Sequence, residues 1–414
     1  MVNQREKINH IIPTPYKPLE GKNIVFALTG SISVFRSVDY IRKLRALGAN
    51  IFPIMTKGAR KFITPLTVSA LCGREVKDFF LEEQDAEISH INLAKKADII
   101  LVAPASADFL AKAAVGICDE IIYAILLATR AKVIIAPSMN SFMFTHPKTQ
   151  VNIETLKKLG YVIVESPVGD MACGDKGPGR LASWEIIKEE ILKAISNQTL
   201  QDKKVLVTAG PTREPIDPVR FISNRSSGKM GFEIARVARR KGAEVHLVTG
   251  PVDLDYPYGV NVYRIESASQ MLEQVLSLLP KMDIIIMAAA VADFTPISFS
   301  TEKIKKSKQK NKLTITLTKT DDILLKISNQ KRKDQIVIGF CAETTNLITN
   351  AKQKLKDKCL DLIVANDISK PGAGFDVDTN EVSIIDKSGS IVKLPLLKKI
   401  EVAEKIWDKI EKIL

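Results

Sequence analysis

The side chains able to do chemistry fall into two groups, one in each half of the chain. In the first half His90 stands in Ser89-His90-Ile91-Asn92-Leu93, and it is one of only four histidines. An imidazole titrates near neutral pH and can move a proton, although a single histidine at a helix start serves as often as a cap. Asn140 follows Pro137-Ser138-Met139, where its amide can grip a carboxylate or shape a turn. The segment Met171 to Arg180, MACGDKGPGR, carries three glycines and a proline and cannot join a core, so it is predicted to be an exposed loop. It presents Arg180 and Cys173, a thiol able to hand a proton to an intermediate.

In the second half the stretch from Lys204 to Gly231 is the most informative. Lys204 to Thr208 is a short β-branched run that stops at Ala209-Gly210-Pro211, where the backbone must turn. Asn224, Ser226, Ser227 and Gly228 then lead into a helical period from Met230 to Lys241. Unpaired N–H groups and the positive end of the helix dipole meet there, so the loop can hold an anion, or it can be a simple N-cap. Lysines are densest from Lys303 to Lys312, a run that reads either as a solvated basic flap or as one that closes on phosphates. Lys354 and Lys358 are four apart on a helix predicted from about Thr344 to Lys358, which puts both ammonium groups on one face. Phe340 follows a strand and can pack on a base or in a core.

The elements that must position these groups alternate. Asn23 to Thr29, Ala49 to Met55, Ala97 to Ala103 and Lys132 to Ala136 are buried-strand patterns, with a helix from Ser33 to Leu47 closed by Gly48. Each strand ends in small polar residues: Gly30-Ser31, Thr56, Pro104-Ala105-Ser106 and Pro137-Ser138-Met139-Asn140. Alternation of this kind predicts a doubly wound, mostly parallel sheet with its ligand beyond the strand C-termini, where Ser31, Ser33, Thr56 and Ser106 all fall. No G-x-G-x-x-G is present, which favours a mononucleotide such as FMN, bound flavodoxin-style, over a dinucleotide. In the second half Lys204 to Thr208, Glu244 to Thr249, Asp283 to Ala289 and the strand before Phe340 repeat the pattern, and Ile400 to Ile413 form an amphipathic closing helix. The fold class is therefore α/β, two doubly wound, mostly parallel-sheet domains, flavodoxin-like and Rossmann-like. The expected boundaries are a leader over 1–20, a first domain over 21–195, a linker over 196–203 and a second domain over 204–414.

Composition narrows the function classes. A chain of 414 residues exceeds one typical core, and 45% hydrophobic residues mark a globular protein rather than a disordered one. The formal charge of +13 invites nucleic acid, but the lysines are spread, without aromatic interleaving or zinc-finger spacing, so anionic small molecules fit better. No apolar run reaches the roughly 18 residues that span a bilayer, and the proline-bearing start lacks the apolar centre of a signal peptide. Five cysteines at wide spacing form neither a disulfide framework nor a zinc site, which implies a reducing cytoplasm. Cys341 and Cys359 read as small buried fillers.

Long motifs in both halves carry a resemblance. SHINLAKKADI, PASAD, PSMN and ACGDKGPGR, then TAGPTREPIDPVRFISNRSSGKMG, AAAVADF, EKIKK, GFCAET and ANDIS, resemble the bifunctional phosphopantothenoylcysteine decarboxylase and phosphopantothenate-cysteine ligase family of bacterial coenzyme A synthesis. The likeness runs from about residue 20 to residue 410. For the first half it implies a decarboxylase with FMN at Gly30, Ser31, Ser33, Thr56, Ser106 and Ser138. His90 matches the family's active-site histidine, Asn140 the asparagine that holds the substrate carboxylate, and Cys173 the proton donor that completes reduction of the enethiol; Arg180 joins the substrate site. Two positions depart conservatively, Ser138 where alanine is usual and Arg36 where a lysine commonly stands.

For the second half the resemblance implies a ligase that forms an acyl cytidylate from CTP with Mg²⁺ or Mn²⁺ and then couples cysteine to 4'-phosphopantothenate. Asn224 matches the asparagine that steadies this intermediate, with Arg220 on the same loop. The CTP positions fall on Ser226, Gly228, Asp293, Lys303, Asp321, Asp322, Ile323, Leu324, Phe340, Lys354 and Lys358; the metal ligands are not specified. Thr320-Asp321-Asp322-Ile323 replaces the usual Asn-Pro-Asp-Ile, which bears on the preference for cytosine. The implied assembly is a homododecamer of decarboxylase trimers joined by ligase dimers, without nucleic acid or membrane partners. Two rival expectations are a flavin-binding regulatory subunit, which loss of His90 or Cys173 would favour, and a nicotinamide oxidoreductase, which the missing glycine fingerprint disfavours.

Overall fold

Apolar runs of five to seven residues, with β-branched residues facing both ways, are stable only where both faces of a strand are covered. The computed structural model describes residues 15–76, 89–170, 174–305, 313–367, 369, 372, 374 and 376–414. It divides into two compact units, one of Tyr16–Ser196 and one holding Asn197–Leu414.

In the first unit the elements are β1 (Asn23–Leu28), α1 (Val34–Ala46), β2 (Asn50–Met55), α2 (Ser89–Lys96), β3 (Ile99–Ala105), α3 (Ala107–Val115), α4 (Ile121–Ala128), β4 (Lys132–Pro137), α5 (Ser141–Thr145), β5 (Val162–Ile163) and α6 (Trp184–Ile195). The five strands of the main sheet pair parallel in the order β2-β1-β3-β4-β5, the flavodoxin order, and Gly169–Asp170 pairs antiparallel with Lys176–Gly177 apart from it. Period two sorts β1: Ile24, Phe26 and Leu28 pack with Tyr40 and Ile41 of α1 and Ile187 and Ile191 of α6. Val25 and Ala27 pack on the other face with Phe109 of α3 and Ile121 and Ile125 of α4.

In the second unit β6 (Lys204–Ala209), α7 (Lys229–Arg240), β7 (Glu244–Thr249), β8 (Asn261–Arg264), β9 (Ile284–Met287), α8 (Ile323–Gln330), β10 (Ile336–Glu343), α9 (Leu347–Asp357) and β11 (Leu362–Asp367) build a parallel sheet. Its order β8-β7-β6-β9-β10-β11 is the Rossmann order. Two antiparallel strands, β12 (Val382–Asp386) and β13 (Ile391–Lys393), extend the far edge, an addition the sequence reading did not include. Their turn is built by Asp386, whose carboxylate accepts the N–H groups of Ser388 at 3.0 Å and Ser390 at 3.1 Å, with Gly389 at φ 87°. The closing helix α10 (Lys399–Ile410) lies on α7, where fully buried Trp407 donates its indole N–H to the Ile234 carbonyl at 3.0 Å.

One packing expectation needs correction. Cys341 is buried, but Cys359 is exposed, because it follows α9 in the left-handed region at φ 48° and turns the chain towards β11.

Candidate active sites

In the first unit the loops after β1, β3 and β4 converge on a cavity of about 470 Å³ at the switch point between β1 and β3. Gly30, Ser31, Ser33, Ser106, Ser138, Asn140 and Arg180 line it. Gly30 lies against Gly58, and a Cβ there would sit 3.2 Å from the Gly58 backbone, so a side chain would push the two loops apart by a few tenths of an ångström. The Ser31 hydroxyl donates to Ser138 Oγ at 3.2 Å, and Ser138 donates to Ser33 Oγ at 2.9 Å. Ser33 occupies the N-cap position of α1 but makes no side-chain cap bond, so its hydroxyl belongs to this trio. Ser106 does cap, accepting the Phe109 N–H at 3.2 Å. Three hydroxyls beside the first turn of α1 make a neutral donor set able to hold a phosphate oxygen.

Thr56 is not among the residues that line the cavity: it is buried, and its hydroxyl accepts the Ala59 N–H at 3.2 Å. Asn140 is the N-cap of α5, and its Oδ1 accepts the Phe142 N–H at 2.8 Å. That bond fixes the amide, so the group offered on the other side is Nδ2–H, which donates to Asp175 Oδ2 at 3.0 Å. An asparagine held in this way can only donate to a ligand there, which suits a carboxylate. Arg180 lays its guanidinium against Gly169, in the space a side chain there would otherwise take. His90, on the first turn of α2, is partly buried and is not among the lining residues. Cys173 lies outside the described residues.

In the second unit a cavity of about 830 Å³ opens at the switch point between β6 and β9. Asn224, Ser226, Gly228, Asp293, Asp321, Asp322, Ile323, Leu324, Phe340 and Lys354 line it. Asn224 donates its amide to the carbonyls of Ala290 at 3.2 Å and Val291 at 2.9 Å, which ties the loop after β6 to the loop after β9. Gly228, the N-cap of α7, has φ 78°, and a Cβ there would strike Val252 at 2.9 Å. The Asp322 carboxylate caps α8, accepting the Leu325 N–H at 2.9 Å, and pairs with Lys358. Burial opposes its charge, but the Lys358 and Leu325 donors win and hold the carboxyl below the usual range. Lys354 donates to the Phe340 carbonyl at 2.9 Å. Thr320, at the departure noted above, donates its hydroxyl to the Ala292 carbonyl at 2.7 Å and its N–H to the Asp293 carbonyl at 3.0 Å. The altered turn is therefore fastened to the loop after β9.

Three other expected residues sit off this cavity. Lys358 stands behind Asp322, Lys303 is exposed, and Arg220 points to a separate anchor. That anchor is Asp217, which the sequence reading missed. Its buried carboxylate accepts the N–H groups of Val219 and Arg220 at 2.8 Å each, Ile304 at 3.1 Å and the Arg220 guanidinium at 2.7 Å. Burial raises and these donors lower its carboxyl, which ends below the usual range. Asp217 thus pins the start of the lysine-rich segment, of which 306–312 lie outside the described residues. Lys229 and Lys399 also line the cavity unforeseen. The Ser-Ser-Gly-Lys run gave a signal for Lys229; nothing in the tail helix singled out Lys399. Among the described residues no cluster of three or more His, Cys, Asp or Glu side chains could hold a metal ion, and no helix is long and apolar enough to cross a membrane.

Comparison with known proteins covers nearly the whole chain. Residues 13–196 match the flavoprotein family and residues 200–414 the DNA/pantothenate metabolism flavoprotein C-terminal domain. The coenzyme A biosynthesis bifunctional protein CoaBC of Bacillus subtilis (strain 168) is 44% identical over 397 residues, 95% of this chain and 97% of that protein. The protein of the same name from Escherichia coli (strain K12) is 41% identical over 395 residues, 95% of this chain and 97% of its own length. A crystal structure of the C-terminal domain of a CoaBC protein is 43% identical, with a TM-score of 0.45 over 52% of this chain and 98% of that one.

Proposed function

The chain belongs to the family of coenzyme A biosynthesis bifunctional proteins CoaBC, and from that premise we propose how its two cavities divide the work. It is a bifunctional enzyme, a flavoprotein decarboxylase joined to a ligase. We assign ligation of cysteine to 4'-phosphopantothenate to residues 204–414 and decarboxylation of the resulting 4'-phosphopantothenoylcysteine to residues 21–195. The observation that carries this division is the contrast in walls: hydroxyls and an oriented amide at the first switch point, lysines at the second.

The first cavity suits FMN. Ser31, Ser33 and Ser138 hold the phosphate, and the Gly30–Gly58 contact keeps the loop close enough for the backbone to join in. When bound, flavin supplies the electron sink for oxidation of the substrate thiol side to a thioaldehyde, so that the adjacent carboxylate can leave as CO2. Asn140 Nδ2 holds that carboxylate until it leaves, and His90 and Cys173 move protons. His90 reaches a site through a neighbouring copy, a reading supported by the exposed Phe35, Phe62 and Met143 at the cavity mouth. Trimers of this unit and dimers of the other give the proposed dodecamer, working in the cytoplasm.

In the second cavity the carboxylate of 4'-phosphopantothenate attacks the α-phosphorus of CTP, releasing pyrophosphate and leaving an acyl cytidylate. The amine of cysteine then attacks the acyl carbon and CMP departs. Phe340 stacks on the base, the turn from Asp321 to Leu324 reads it, Asn224 steadies the acyl cytidylate, and a divalent cation accompanies the triphosphate. The whole reading is tested by supplying the purified protein with 4'-phosphopantothenate, cysteine, CTP and Mg²⁺. Equimolar CMP and pyrophosphate, followed by 4'-phosphopantetheine and CO2, is the expected outcome; products without nucleotide cleavage would overturn it.

A further inference from the structure

The segment from Asp175 to Arg180 is fastened to three consecutive residues around Asn140, and the assignments above leave one of those ties without a role. The Met139 N–H donates to the Gly179 carbonyl at 2.9 Å, Gly177 lies against the Ser141 side chain, and between them Asn140 Nδ2 donates to Asp175 Oδ2 at 3.0 Å. The antiparallel pairing of Gly169–Asp170 with Lys176–Gly177 holds the same segment. Asp175 is half-buried and is not among the residues that line the cavity, so its contact with the site runs through Asn140.

The Asn140 amide does not need Asp175 to be oriented. Its Oδ1 already accepts the Phe142 N–H at 2.8 Å, and that bond sets Nδ2 as the donor offered to a ligand. What Asp175 adds is charge, a carboxylate one hydrogen bond away from the amide to which the proposed reading assigns the substrate carboxylate. Two like charges that share a donor repel, and away from bulk water the repulsion is stronger. The charged residues that line the cavity are Arg36, Asp170 and Arg180, two cations to one anion, so the lining as a whole attracts a carboxylate. Asp175 sets a local repulsion against that attraction.

We propose that the Asp175 carboxylate speeds decarboxylation by destabilising the bound substrate carboxylate across the Asn140 amide. The inference rests on the decarboxylase reading of this cavity, with Asn140 as the seat of that carboxylate, and deepens it. When the bond from Cα to the carboxyl carbon of the oxidised substrate breaks, its electron pair passes into the thioaldehyde to give the enethiolate, and the carboxyl group departs as uncharged CO2. Negative charge therefore leaves the neighbourhood of Asp175 as the transition state forms, and a repulsion present in the ground state is relieved. Asp175 acts through Asn140 and is a positioning residue rather than a catalytic one.

Asp175→Asn keeps an oxygen able to accept from Asn140 and removes the charge. Calorimetric titration of the full flavin-loaded chain uses two ligands: 4'-phosphopantothenoylserine, which has the carboxylate but no thiol to oxidise, and 4'-phosphopantetheine, which has no carboxylate. The variant is expected to bind the serine analogue about 3- to 10-fold more tightly than the parent chain and 4'-phosphopantetheine within about twofold, which also reports an intact site. Its kcat for CO2 release should fall by about 3- to 10-fold. Tighter ground-state binding with slower turnover marks the removal of strain, whereas a residue that merely held the loop in place would weaken both ligands alike. Unchanged or weaker binding of the serine analogue, or an unchanged kcat, would overturn the role given to Asp175 while leaving the decarboxylase reading standing. Failure of the parent chain to release CO2 from 4'-phosphopantothenoylcysteine would remove that reading and this inference with it.

Discussion

The cavity after β1 and β3 is walled by hydroxyls, with Ser138 within 3.2 Å of both Ser31 and Ser33, whereas the cavity after β6 and β9 is walled by the ammonium groups of Lys229, Lys354 and Lys399. Both lie at the switch point of a parallel sheet, although the two sheets have different strand orders. The position is a property of the architecture, since diverging loops and helix N-termini leave a crevice wherever the winding reverses. The guest is decided by the residues on those loops. Neutral donors suit one phosphate beside a flat ring, and point charges suit a triphosphate whose negative charge grows as pyrophosphate leaves. On the proposed reading, one architectural rule serves an electron-transfer site and a nucleotide-cleaving site in a single chain.

Changes that act on one cavity alone test the independence this comparison implies. The largest effect is expected from Asn224→Asp, which sets a carboxylate against the Ala290 and Val291 carbonyls that now accept from the amide. CMP release should fall by about 100- to 1000-fold, the scale of losing one preorganised donor, while supplied 4'-phosphopantothenoylcysteine is still decarboxylated within about twofold of the parent rate. In the other unit Cys173→Ser should still release CO2 but accumulate the oxidised enethiol, detected by mass spectrometry, with CMP formation unaffected.

Stability should separate in the same way. Trp407→Ala removes a fully buried ring and its bond to Ile234, and is expected to cost the second unit about 3–5 kcal/mol in a denaturant titration. Flavin absorbance, which reports the first unit, should keep its midpoint. Asp217 gives a smaller, pH-dependent effect. Its carboxyl is held below the ordinary value of about 3.9, so its stabilisation is complete above that pH and is lost as pH falls through the lower folded-state value. Asp217→Asn should therefore weaken ligation several-fold at pH 7, and the difference between variant and parent should shrink only below about pH 4.

The smallest effect concerns thiols. Each unit has one exposed and one buried cysteine among the described residues: Cys118 and Cys72 in the first, Cys359 and Cys341 in the second. Burial pushes the Cys72 and Cys341 thiols up to about 11, so a disulfide reagent at pH 8 should label Cys118 and Cys359 quickly and leave the other two unlabelled. In Trp407→Ala, Cys341 should become reactive before Cys72, as read by peptide mapping.

What the sequence made legible follows from how local each signal is. The ends of β1, β3 and β4 were readable because a β-branched run meets glycine, serine or proline within a few residues, and Ser106, Asn140 and Gly228 sit where those signals predict. Thr56 was readable as a loop residue but not as one facing inward, since which side of the turn it takes depends on its bond to Ala59. Lys399 was invisible because its place in the cavity comes from α10 docking on α7, a contact between segments far apart in the chain. Asp217 was hidden likewise, since its value lies in reaching Ile304. The antiparallel pair β12 and β13 reads, in sequence, like an ordinary surface hairpin and only tertiary pairing with β11 makes it part of the sheet. Cys359 was misjudged because apolar character says nothing about a left-handed turn.

The central claim is that two separate cavities carry out consecutive reactions, so the decisive measurement is the fate of the intermediate when the first cavity alone is disabled. In Asn140→Asp, a carboxylate replaces the amide donor proposed to hold the substrate carboxylate, and charge repulsion should stop decarboxylation. Given 4'-phosphopantothenate, cysteine, CTP and Mg²⁺, this variant should accumulate 4'-phosphopantothenoylcysteine in amounts equal to CMP, with no CO2. Loss of CMP formation in step with loss of CO2 would contradict the account.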